Sequence, residues 1–230
     1  MSVIILVIFV LACLSIDYYL KKRRKRVIEK SPILHNKTFQ LRQNRVLVPQ
    51  GIYFAKSHAW AYLIETGLVR VGLDDFLKHI IGRVTRISAS GNNASIIQNE
   101  ALLNLEQDEK KLTIAAPISG RVKRINPEIL NNPQNALGLP YKDRWIYELE
   151  PANWEEETKN LHLGRTASKW IEKEFIRLKE FFAYLMSGDG SSSAYATILQ
   201  DGGEIAEKVL EYSGQETWQK FQVEFLDQQS

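Results

Sequence analysis

The side chains able to do chemistry are few, and their spacing suits little of it. Four histidines, His35, His58, His79 and His162, are scattered along 230 residues. Protein zinc sites draw on histidines and cysteines at short, regular spacings, and none of these residues shows one. The single cysteine, Cys13, excludes an intramolecular disulfide and any cysteine-based zinc site. Gly188-Asp189-Gly190 lacks the lysine and the following helix of a phosphate loop and reads as a connection. Carboxylates are numerous, at Asp74-Asp75 and Glu155-Glu156-Glu157 among others, but no pair of them is placed across a cleft by spacing alone. No nucleophile–base constellation is found. The chain therefore reads as neither an enzyme nor a metal protein. Two primary amines, Lys110 and Lys111, lie in the charged run Glu106-Gln107-Asp108-Glu109-Lys110-Lys111. Their simplest role is that of solvated turn lysines.

Charge is concentrated at one end. The formal net charge is +3, yet residues 21–26 read Lys-Lys-Arg-Arg-Lys-Arg, and without those six positive charges the rest carries −3. A mildly acidic body argues against a nucleic-acid partner. Just before the basic block, residues 3–16 are apolar except for Ser15, and Tyr18, Tyr19 and Leu20 extend the stretch. About 20 residues make roughly 30 Å of helix, enough to cross a bilayer core. A cleaved signal peptide carries its positive charges before the apolar run, and here they follow it. Val10-Leu11-Ala12-Cys13 is a weak likeness of a lipoprotein signal, with no basic residue ahead of it. The expectation is a single-span anchor over residues 1–20 with the membrane as its partner. The basic flank then places the body in the cytoplasm. Residues 21–50 read as a basic juxtamembrane segment and tether.

From Gly51 short runs rich in Val, Ile, Tyr and Leu alternate with Gly, Asn, Asp and Pro, the pattern of a mainly β domain. Strands are expected over 52–54, 60–64, 68–71, 83–87, 95–97, 102–106, 112–115, 121–125 and 145–149. One short helix is expected over 74–81, opened by Asp74 and Asp75 and ended by Gly82. Residues 80–87 and 118–125 agree at six of eight positions, 38 apart, and suggest two similar halves. After Glu150 the period changes. Trp170, Ile171, Phe175, Leu178, Phe182 and Leu185 recur every three or four residues, as on one face of a helix. Two further helices are expected over 198–212 and 217–226, the latter opened by a Ser213–Glu216 capping box.

Residues 51–151 resemble the glycine cleavage H-protein family. Ser57-His58-Ala59-Trp60 stands where the family has a His-Glu-Trp-like segment. Val71-Gly72-Leu73-Asp74-Asp75-Phe76, then Ile81-Gly82-Arg83-Val84, then Ala116-Pro117-Ile118-Ser119-Gly120-Arg121-Val122 follow in the family's order. Asn126, Leu130, Asn132-Pro133, Pro140-Tyr141 and Trp145-Ile146 complete the match. The resemblance implies a lipoyl-carrier barrel-sandwich fold, here between the N-terminal anchor and a helical region over 152–230. It also implies a lysine at a hairpin tip that takes lipoate in amide linkage. Counting back eight residues from Pro117, as the family's spacing requires, gives Glu109. The acceptor position thus holds a carboxylate, and Lys110 is one residue late; a one-residue shift in a strand turns a side chain to the opposite face.

Two readings follow. The favoured one is a docking or scaffold module without a lipoyl group, its protein partners unknown, glycine-cleavage-like or other lipoate-dependent enzymes among the candidates. The alternative is a lipoyl carrier in glycine cleavage or related one-carbon metabolism, with Lys110 as displaced acceptor.

Overall fold

The structure, a computed structural model, describes residues 48–187, 199–200 and 204–227. The expected anchor, basic block and tether lie outside the described residues. Among the described residues no helix is long and apolar enough to cross a membrane.

Two antiparallel sheets carry the fold. The first elements are β1 (Tyr53–Phe54), β2 (Ala59–Leu63), β3 (Val69–Leu73), α1 (Asp75–Ile81), β4 (Arg86–Ala89) and β5 (Ser95–Ile96). They continue with β6 (Ala101–Gln107), β7 (Lys110–Ala115), β8 (Gly120–Ile125), the short helices α2 (Pro127–Asn131) and α3 (Asn135–Gly138), and β9 (Tyr147–Pro151). After α4 (Trp154–Glu157) and a 3-10 turn come β10 (His162–Leu163) and the long helix α5 (Arg165–Ser187). A small hairpin, β11 (Leu199–Gln200) and β12 (Glu204–Ile205), precedes α6 (Gln215–Phe221), which runs on into a π-helical turn, Gln222–Leu226. One sheet has the order β10-β1-β2-β3-β9-β8-β5, the other β4-β6-β7.

Local sequence explains the frame. Gly67, at φ 81°, supplies the left-handed step between β2 and β3. Asp74 caps α1, its Oδ1 accepting from the Leu77 amide at 3.1 Å, and Gly82 at φ 75° ends the helix. Val69, Val71, Tyr147 and Leu149 of the larger sheet and Leu105, Leu112 and Ile114 of the smaller one are buried in one core. Arg144 lies beneath α1, 2.6 Å from Asp75 in a fully buried ion pair. The mainly β domain and the helix that starts after Asp74 are as the sequence implied, but the domain holds three short helices and not one: α2, opened by the Asn126 cap, and α3 were not expected.

Several expectations need correction. Residues 82–85 are not strand, and Ile80 and Ile81 end a helix, whereas Gly120 begins β8. The two similar segments therefore differ in local structure and lie in different sheets. The region after 152 is not purely helical, because β10 pairs with β1 and extends the larger sheet. Where a helix was expected over 198–212, the described part holds the β11–β12 hairpin and a run of turns. Glycines 202 and 203 weaken any helix there. The Ser213–Glu216 box does not form. Ser213 donates back to the Val209 carbonyl at 2.8 Å, and Gly214 is the N-cap of α6.

The amphipathic reading of α5 holds. Ile171, Phe175, Leu178 and Phe182 are buried in the same core as the sheets, together with Trp218, Phe221 and Phe225. Burial of each such side chain contributes about 1.5–3 kcal/mol before entropy is counted.

Candidate functional site

Strands β6 and β7 form the hairpin at which the resemblance implies an acceptor position. Their register pairs Glu106 with Lys111 and Gln107 with Lys110, which leaves Asp108 and Glu109 as the two-residue turn. Two-residue hairpin turns need left-handed backbone, and Asp108 supplies it at φ 54°. The turn is propped from the side. Thr85 donates its hydroxyl to the Glu106 carbonyl at 2.9 Å and accepts from the Asp108 amide at 3.3 Å. Arg83 stands 3.4 Å from the Asp108 carboxylate, an exposed pair worth about 0–1 kcal/mol. Glu109 is exposed at the tip and Lys111 is exposed on β7.

Lys110 differs from both. Its Nζ donates to the carbonyls of Glu211 at 3.0 Å and Ser213 at 3.2 Å. The ammonium also sits 5.1 Å from the centre of the Trp218 ring, a cation–π distance. Burial lowers the pKa of the amine, and Arg83 adds to this, against the raising influence of Asp108 and Glu211. The side chain of Gln107 donates to the same Glu211 carbonyl at 3.3 Å.

A second cluster joins the sheets to the C-terminal helices. His58, buried and at φ 61°, brings Nδ1 to 2.7 Å from Asp74 Oδ2. Its Nε2 faces Glu174 Oε2 of α5 at 3.8 Å, too long for a hydrogen bond but close for opposite charges. Arg177 donates to both oxygens of Glu174, at 2.8 and 2.9 Å, and to the carboxylate of Glu224 at 3.1 Å. Burial pulls the His58 pKa down, but Asp74 and Glu174 outweigh it and raise it to about 9. His58 is thus an imidazolium at neutral pH. Burial raises the Glu174 carboxyl, and His58 with Arg177 more than offsets this, so its pKa is lowered. Phe76 stacks on the His58 ring at 4.3 Å. This is a buried electrostatic pin between the sheets and the C-terminal helices. From its place beside Trp60 in the sequence, His58 is expected to pack or to hydrogen-bond, and the bond to Asp74 is of that kind. Sequence reasoning missed Glu174, whose one local signal is the Arg177 partner three residues on.

No cluster of metal-ligating groups occurs among the described residues. A shallow cavity of about 240 Å³ beside Ser88, Ser90 and Asn104 carries no charged group.

A family model described as Glycine cleavage H-protein matches residues 52–174, just over half the chain. The chain belongs to the glycine cleavage H-protein family. It is 32% identical over 114 residues to the probable glycine cleavage system H protein of Pyrococcus abyssi, covering 50% of this chain and 84% of that one. Against the glycine cleavage system H protein of Hydrogenovibrio crunogenus the identity is 31% over 110 residues, covering 48% and 85%. The crystal structure of the H protein from Mycobacterium marinum aligns with a TM-score of 0.42 at 20% identity, over 46% of this chain and 87% of that chain. The hairpin, His58, Asp74 and Glu174 all fall inside the H-protein match. Arg177, Glu211, Ser213, Trp218 and Gln222 fall after it.

Proposed function

We propose that this H-protein relative is a docking or scaffold module that carries no lipoyl group and is not itself a catalyst. The observation that carries this reading is Glu109 at the exposed turn tip, the position where the family's acceptor lysine belongs. A carboxylate cannot form the amide to lipoate. The residues at the tip do not fit that attachment, because the one adjacent amine, Lys110, is engaged by two carbonyls and the Trp218 ring. The reading includes a single-pass anchor at residues 3–20 in the cell membrane, with the tether to residue 50, the H-like domain over 51–151 and the region over 152–230 on the cytoplasmic side. Its partners are proteins near that membrane, those of glycine cleavage or other lipoate-dependent systems being the first to test.

The test is intact mass after expression beside an active lipoate ligase. The wild-type chain is expected at its unmodified mass. A lipoyl increment on Lys110 would replace this reading with that of a working carrier.

A further inference from the structure

The C-terminal segment, residues 208–227, begins well past the H-protein match, which ends at 174. It nevertheless makes its main polar contacts with the family's signature hairpin and with the helix beside it. The Lys208 amide donates to the His79 carbonyl and the Leu210 amide to that of Ile80, so the segment closes the end of α1. Gly82 sits directly under it, where an added Cβ would lie 2.8 Å from Glu211 Cβ. That approach is one only glycine permits. Glu211 and Ser213 then present their carbonyls to Lys110, and Glu211 also serves Gln107. Further along, the carboxamide of Gln222 accepts from the Thr113 amide at 2.8 Å and donates to the Thr113 carbonyl at 3.0 Å. Trp218, Phe221, Phe225 and Leu226 are buried beneath these contacts. Arg177 reaches the far end through Glu224 and ties it to the His58 pin.

We propose that residues 208–227 are a built-in cover of the β7 flank of the hairpin, latched by Lys110, which withholds this lysine and its strand from amine-modifying enzymes. The inference rests on the reading that the hairpin is not lipoylated and gives that reading a second, physical barrier. An enzyme that modifies a hairpin lysine must reach the amine and approach the flanking strands. Here Glu109 removes the amine from the tip, and the cover occupies the flank on which the next amine lies. Lys110 has an intramolecular role as the pin of the cover.

The experiment is pulse acetylation of the full-length protein with N-hydroxysuccinimidyl acetate, followed by peptide mapping. Lys111, exposed and one residue away, is the internal reference. The lowered pKa of Lys110 leaves more of it neutral and would by itself speed its labelling, so slow labelling reports shielding. Lys110 is expected to label about tenfold more slowly than Lys111, as for a group reached through local opening. Gln222→Ala, which removes the pairing to Thr113, should raise the Lys110 rate several-fold and leave Lys111 unchanged; Trp218→Leu should act in the same direction. Equal rates at the two lysines in the wild-type chain would overturn the proposal, and so would a Lys110 that stays slow in both variants. The wild-type ratio is informative even if a variant fails to fold. Because acetylation needs no lipoate, a failure of the cover is distinct from a lipoyl mass on the wild-type protein, which would sink the functional reading instead.

Discussion

Glu109→Lys combined with Lys110→Ala is expected to acquire a lipoyl group when expressed beside an active lipoate ligase, whereas the wild-type chain and Lys110→Ala alone stay at their unmodified masses. The substitution puts an amine at the exposed second position of the turn without changing turn length. The register that pairs Gln107 with residue 110 is kept, so the strands flanking the tip do not move. Lys110→Ala removes the competing amine and releases the latch on Glu211 and Ser213. The contrast is between presence and absence of a covalent group, read directly from intact mass. A double variant that folds and yet stays unmodified would show that the position of the amine does not decide acceptor function in this hairpin.

Stability should fall as pH rises from about 6.5 to 9. His58 has a folded pKa of about 9 against an ordinary 6.5, so the folded chain binds a proton that the unfolded chain releases over this interval. The stabilisation is complete below the ordinary value and is lost as pH climbs through the folded one. A shift of that size corresponds to about 3 kcal/mol. Glu174 has the opposite sense. Its lowered pKa contributes above the ordinary carboxylate range and is lost as pH falls through the folded value. His162, pushed down chiefly by burial, and further by Lys56, likewise weakens the fold on the acid side. The greatest stability therefore lies between these ranges, in mildly acidic solution. His58→Gln should lose about 3–5 kcal/mol at pH 6, because Asp74 would then be buried without a counter-charge and Glu174 would keep Arg177 alone, and should flatten the alkaline slope. Urea unfolding followed by tryptophan fluorescence across this pH range measures both. A wild-type slope no steeper than that of the variant would show that the pin contributes nothing.

Local signals carried most of the β domain. Alternating burial along β7, with Leu112 and Ile114 inward, is visible in the sequence as a period of two. Helix α1 announced itself by Asp74 and Gly82, and α5 by its apolar spacing. The tip was legible only through the family resemblance, whose acceptor stands eight positions before the proline that Pro117 matches. What stayed hidden depends on partners far away in the chain. The carbonyls that hold Lys110 are 101 and 103 residues away, and a carbonyl leaves no mark in a sequence. The turns over 207–213 were misread as helix for the same reason. Their apolar residues Val209 and Leu210 fit a helical face, but the amides there are spent on His79 and Ile80 of α1. The repeat misled because identical residue types can end a helix at Gly82 and open a strand at Gly120.

Gln222 has a consequence for how this chain behaves at high concentration. β7 is an outer strand of its sheet, and an outer strand is a template on which another chain can add by main-chain hydrogen bonds. A carboxamide offers both a donor and an acceptor, as a strand residue does, and Thr113 pairs with both, its amide donating to Gln222 Oε1 and its carbonyl accepting from Nε2. A side chain, unlike a strand, has no second edge to pass on. Ser57 fills the next place by donating to the Ala115 carbonyl at 2.8 Å. The ladder is therefore terminated at two successive sites of β7 by groups that cannot propagate it, and addition of another strand along that edge is blocked there by side-chain hydrogen bonds.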